Sequence, residues 1–157
     1  MIELDVNVEG GDWLTLGDVE KLCRRAVETA LTAAGWTGAA SFDILLTDDA
    51  AVRILNREWR NLDKPTNVLS FPAGEQPDGP GVRHLGDIVL AYETTLREAC
   101  DEGKSLADHA AHLVVHGVLH CLGYDHETDE EADAMEALEV EALGRIGISD
   151  PYRDEAA

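Results

Sequence analysis

Three histidines, His116, His120 and His126, stand in the run HGVLHCLGYDH over residues 116–126. Residues four apart lie on one face of a helix, so His116 and His120 can present two imidazoles to one point. Gly123 tolerates the left-handed turn that ends a helix, and such a turn would bring His126 back toward the other two. Three neutral imidazoles around a cation, with one position left over, is the arrangement of catalytic zinc sites, in which a bound water has its pKa lowered to about 7. One divalent ion per chain, zinc, held by His116, His120 and His126, is the expectation.

The spacing H-x3-H-x2-G-x2-H is that of metzincin zinc proteases. Zincins place a general-base Glu directly after the first His, and here that position is Gly117, which has no side chain to take a proton. Three readings stay open: a structural metal in a non-catalytic protein, a metallopeptidase without its usual base, or catalysis on a substrate such as a phosphodiester that a nearby cation polarises. His109 and His112 lie on the stripe leading to His116 and are read as surface residues or as supports behind the ligands. Cys121, about a hundred degrees round the helix from His120, is read as packing. Asp125, beside His126, is a candidate to orient a ligand imidazole from behind, with a turn-forming role as the alternative.

A second constellation is basic. Arg53, Arg57, Arg60 and Lys64 fall within one twelve-residue stretch of a chain whose net charge is −20. On a helix Val52, Leu55 and Trp59 would share a core-facing side, leaving the three arginines, spaced i, i+4, i+7, together in solvent. Arginine forks bind phosphate oxygens bidentately, so these four residues are the candidate contacts to an anionic backbone. Arg60, next to the turn 61–65, is the one expected to reach the site, and with His116 it is the candidate catalytic pair. The overall charge excludes a general polyanion binder, because phosphate contacts need many bases. Residues 127–141 carry eight acids and no base, and would repel a polyanion on that side.

The elements that must position these residues can be read from periodicity. Residues 2–8 and 41–47 have strand character, as do the short runs 67–71 and 86–91, which a Gly- and Pro-rich loop, AGEQPDGPGVRH, separates; its composition predicts mobility. Apolar spacing predicts a first helix up to Gly35, with Thr15 and Asp18 resembling a capping box, and a second over 50–61 that Asp48 or its neighbours cap and Pro65 bounds. Three more helices are predicted near 92–102, 106–121 and 128–143, with Ser105 and Thr128 as start signals. Four strands and five helices without linker or repeat predict a single α+β (α/β-type) domain over 1–157, the metal site at a helix end. The start, MIELDVNVEGGDW, has neither a basic n-region nor an apolar run, and the cysteines, Cys23, Cys100 and Cys121, form no C-x-x-C pair. A cytoplasmic protein with no disulfide and no membrane span is expected.

Four blocks of the chain resemble the YbeY family of bacterial rRNA maturation factors, described as metal-dependent endoribonucleases. They are LNREWRNLDKPTNVLSFP at 55–72, HLGDIVLA at 84–91, HLVVHGVLHCLGYDH at 112–126 and GISDPY at 147–152. The resemblance implies a four-stranded mixed sheet with helices on it, His116, His120 and His126 as zinc ligands, and Arg60 as the basic residue needed for RNA cleavage. It also implies work on single-stranded RNA: 3′-end maturation of small-subunit 16S ribosomal RNA, ribosome assembly and ribosome quality control. The implied partners are ribosomal RNA, the small ribosomal subunit and assembly proteins; no DNA or membrane partner is expected.

Overall fold

The structure, a computed structural model, describes residues 2–74 and 81–152. Its strands are β1 (Ile2–Val8), β2 (Ala40–Thr47), β3 (Val68–Pro72) and β4 (Arg83–Ala91). Its helices are α1 (Val19–Ala33), α2 (Asp49–Arg60), α3 (Tyr92–Glu102), α4 (Leu106–Cys121) and α5 (Asp129–Arg145). The strand order is β1-β2-β4-β3. β1, β2 and β4 run parallel, and β3 returns antiparallel along the edge of β4. The sheet is therefore mixed, and the domain is α+β as expected. Half of the loop 73–84 on which mobility was expected, residues 75–80, lies outside the described residues.

Alternation sorts the strands onto two faces. Phe42, Ile44, Leu46, Ile88 and Leu90 point to the face covered by α1 and α4, on which α5 packs in turn, and the main core forms there. Each such side chain, fully buried, contributes about 1.5–3 kcal/mol relative to exposure. Leu69, Val89 and Ala91 point the other way and pack with Val52 under α2. The same period puts Val68, Ser70 and Pro72 of β3 on the α4 side. α4 is apolar nearly all round because it is enclosed by α1, α3, α5 and the sheet.

Helix starts follow cap chemistry. Asp48, Ser105 and Thr128 accept hydrogen bonds from the backbone N–H groups of Ala51, Asp108 and Glu131. α1 departs from expectation: Thr15 belongs to a separate 3-10 turn, Trp13–Leu16, and its hydroxyl donates back to the Asp12 carbonyl. Gly17, at φ +84°, then redirects the chain, and Asp18 alone caps α1 through Lys21 N–H. β4 also starts earlier than the apolar run implied, at Arg83, because a register shift opposite Ser41/Phe42 absorbs Leu85.

α2 is anchored at both ends. Asp49 accepts from the backbone N–H and the hydroxyl of Thr94, at 3.0 and 2.8 Å, while its own N–H donates to Glu93. At the other end Asn61 takes a left-handed conformation, φ 61°, and stops the helix four residues before Pro65. The buried Asn56 donates to the Lys64 carbonyl and pins the following turn. The expected core side of α2 is corrected here: Val52 is buried, but Trp59 is 70% exposed. The last turn of α2 has reached the edge strand, where Trp59 meets Phe71 edge-on at 6.0 Å.

Candidate active site

His116 and His120 project from one face of the last two turns of α4. The helix then ends in a Schellman turn, Tyr124 N–H donating to the Leu119 carbonyl and Gly123 N–H to that of His120, with Gly123 at φ +102°. That reversal carries His126 back, so ring nitrogens of all three histidines lie within 4.8 Å of one another. The rings of His116, His120 and His126 stand 4.6 to 6.0 Å apart, centre to centre.

The residues present fit a metal. The Nε2 atoms of His116 and His120 are 3.1 Å apart; two nitrogens each 2.0–2.1 Å from a tetrahedral zinc would stand about 3.3 Å apart. Burial, and then the neighbouring His116 and His126, hold the His120 pKa below its ordinary value, which favours the neutral, ligating form. Among the described residues the group contains no fourth side chain, so a bound ion would keep a position for a further oxygen.

Behind His116 stands a residue that sequence reasoning missed. Glu139 of α5, 1% exposed, accepts from His116 Nδ1 at 2.9 Å and from His112 Nε2 at 3.0 Å, both at Oε1. The Tyr152 hydroxyl donates to its Oε2 at 2.8 Å. Burial alone would push the Glu139 carboxyl up; the bonds from His112 and His116 outweigh it and bring it down to about 2. A carboxylate taking the Nδ1 proton of a ligand histidine fixes its tautomer and aims Nε2 at the metal. A signal was present: Glu139 falls inside the apolar stripe of Met135, Ala142 and Leu143, the wrong place for a solvated acid.

Of the basic residues, Arg60 lines the open cleft, about 620 Å³, that also holds His116, His120 and His126. Thr66, Asn67, Ser70, Asp125 and Glu127 also line it. Arg53 is turned aside onto Asp63, at 2.8 and 3.2 Å, a bond that lowers the Asp63 pKa. Arg57 and Lys64 are exposed outside the cleft lining. Asp125 accepts from the backbone N–H of His126 at 2.8 Å, so its hydrogen bond serves the turn. His109 is buried on Glu98, and His112 supports the site through Glu139. Cys121 packs half-buried against Gly86. Gly117 faces the sheet: a Cβ there would lie 3.0 Å from Ile88 Cγ2, so position 117 has no room for a zincin glutamate.

A four-stranded mixed sheet under a helix whose end gathers three histidines that could hold a metal ion, with Arg60 lining the same cleft, defines the class of α+β protein. The comparisons give that class its family: residues 7–147 match the family model described as Endoribonuclease YbeY, and the chain belongs to that family. A relative named Endoribonuclease YbeY from Azorhizobium caulinodans is 51% identical over 153 residues, 96% of each chain. Another of that name from Nitrobacter hamburgensis is 54% identical, over 89% of this chain and 76% of the relative. A solution structure from Thermotoga maritima is similar in fold, with a TM-score of 0.56 at 24% identity, covering 98% of this chain and all of that one. Among the described residues no helix is long and apolar enough to cross a membrane.

Proposed function

We propose that the protein is a zinc-dependent endoribonuclease that cuts single-stranded RNA in 3′-end maturation of small-subunit 16S ribosomal RNA, in ribosome assembly and in ribosome quality control. The observation that carries this reading is that Arg60 and the imidazoles of His116, His120 and His126 line one open cleft. The names of the curated relatives support the same activity.

Within this reading His116, His120 and His126 hold the ion, and Glu139 keeps His116 in the tautomer that can bind it. Zinc supplies Lewis acidity, and with it a nucleophile at neutral pH. The Arg60 guanidinium pairs with the phosphate oxygens of the scissile linkage and offsets the charge that builds on them in the transition state. The acids Asp125 and Glu127, which line the same cleft, disfavour a polyanion beside them, which leaves Arg60 as the cleft's contact for the backbone. The ribosomal RNA of the small subunit, with its assembly proteins, is the partner this reading requires.

The test compares purified wild type, Arg60→Ala and His116→Ala on an RNA fragment spanning the 3′ end of 16S rRNA, with zinc content measured on each sample. Wild type is expected to bind one zinc and cleave; His116→Ala is expected to lose zinc and activity. Arg60→Ala is expected to keep zinc and lose about 100-fold or more in rate, as for removal of one transition-state contact. Equal residual cleavage in all three would assign the activity to a contaminating nuclease and leave an assembly factor with a structural ion.

A further inference from the structure

On the far side of His116 a second cavity, about 430 Å³, shares Asn67, Val68 and His116 with the metal cleft. Two facing helical stripes build it. α3 contributes Glu98, Asp101 and Glu102, at i, i+3 and i+4, and α4 contributes His109, His112 and His116, at i, i+3 and i+7. No lysine or arginine lines it among the described residues. The metal cleft has Arg60, whereas this chamber has three acids, of which Glu102 alone, among the described residues, has a cation beside it, Lys104 Nζ at 3.7 Å from its Oε1.

The acids are not all loose surface charges. Glu98 receives Asn67 Nδ2 at 3.0 Å and His109 Nε2 at 2.9 Å, both at Oε1, which holds the carboxylate in place and leaves Oε2 its full acceptor capacity. His109, with a side chain 5% exposed, is wedged between Glu98 and Glu102, its Nδ1 3.8 Å from Glu102 Oε2 and without a hydrogen-bond partner. Val68 and Leu113 give apolar wall, and Tyr152 stands edge-on to the His112 ring at 5.6 Å. A phosphate would be repelled here. A flat heterocycle with N–H groups on its edge would be accepted, because fixed carboxylates take hydrogen bonds from amino groups as they do from cytosine N4. The size of the chamber and its apolar wall suit such a ring better than a lone cation.

We propose that this chamber is a base-binding subsite, which takes the nucleobase next to the scissile phosphate and selects bases that carry an exocyclic amino group. The inference rests on the endoribonuclease reading and adds to it a division of labour: Arg60 holds the phosphate on one side of His116, and Glu98 with Glu102 reads the base on the other. Guanine is the best fit, since its N1–H and N2 amino group lie side by side and match two carboxylate oxygens.

The experiment uses zinc-loaded protein and single-stranded RNA oligonucleotides that differ only at the nucleotides flanking the cut. Guanine is compared with inosine, cytosine with uracil, and adenine with unsubstituted purine. At one flanking position the amino-bearing base is expected to be cleaved roughly tenfold faster or more than its counterpart. In Glu98→Gln, and separately in the more exposed Glu102→Gln, that ratio is expected to fall toward one while the zinc content stays at one per chain. Equal rates for every pair in wild type would overturn the proposal, as would a preference that neither variant moves. A second equivalent of metal that disappears in Glu98→Gln would make the chamber a cation site instead. Should wild type cleave none of the set, the endoribonuclease reading fails, and binding of the same oligonucleotides by fluorescence anisotropy then decides the subsite. Base-dependent affinity would keep it, and uniform affinity would remove it.

Discussion

Glu139 organises the site although it lies 23 residues beyond His116 and on another helix. Its replacement by Gln keeps the shape but removes the charge that fixes the His116 tautomer. Zinc affinity of Glu139→Gln, measured by competition with a chromophoric chelator, is expected to fall 10- to 100-fold; an unchanged affinity would mean that Glu139 only fills space. The same residue predicts a pH signature in the metal-free protein. Its carboxyl titrates at about 2 in the folded chain against an ordinary 4.5, so the charged form binds better in the native state. The stability this adds is fully present above about pH 4.5 and is lost as pH falls toward 2. Urea midpoints of wild type and Glu139→Gln should therefore differ above pH 4.5 and converge below it. A gap that stayed constant across that window would contradict the assignment.

At the scale of elements, two glycines position the site by different means. Gly123 turns the chain at φ +102°, a conformation that L residues rarely adopt, with open space around its Cα. Gly123→Ala therefore acts through backbone strain of about 1–3 kcal/mol. The expected result is a lower melting temperature together with weakened zinc binding, since the strained turn is the one that carries His126. Gly86 is restricted by neighbours instead: a Cβ there would lie 2.5 Å from Cys121 Sγ and 2.7 Å from the Phe71 carbonyl. The sulfur sits on a side chain that can shift, but the carbonyl belongs to the β3–β4 ladder. Gly86→Ala is expected to cost at least the 1–3 kcal/mol typical of overpacking, read as a drop in denaturation midpoint. An unshifted midpoint would show that β3, an edge strand, yields more easily than its pairing implies.

At the scale of the molecule the net charge of −20 acts on both stability and binding. Self-repulsion destabilises a compact state, and salt screens it with a Debye length near 10 Å at 0.1 M. The melting temperature is expected to rise by a few degrees between about 20 mM and 0.5 M sodium chloride; a flat or falling trend would show that local ion pairs outweigh the global field. RNA affinity should respond in the opposite sense and only weakly, because one arginine in the cleft neutralises few phosphates. Each phosphate contact on a single strand contributes about −0.7 to the slope of log K against log salt. Arg60→Ala is expected to make that slope shallower by about this amount, whereas Arg57→Ala, outside the cleft, should leave it unchanged.

What the sequence determined by itself was local: His116, His120, Gly123 and His126 sit within eleven residues, and helix periodicity with one left-handed turn is enough to gather them. The caps at Asp48, Ser105 and Thr128 were legible for the same reason, each depending on a backbone N–H three residues away. Distance along the chain is what hid the rest. The course of α2 across the sheet decided that Arg60 enters the cleft while Arg53 turns to Asp63 and Trp59 stays in solvent, and no spacing within α2 encodes that course. Glu139 and Glu98 gain their roles only when α5 and α3 pack beside α4. In the chain they are two acids among thirty-two, and burial against particular histidines, which is a tertiary property, is what makes them different.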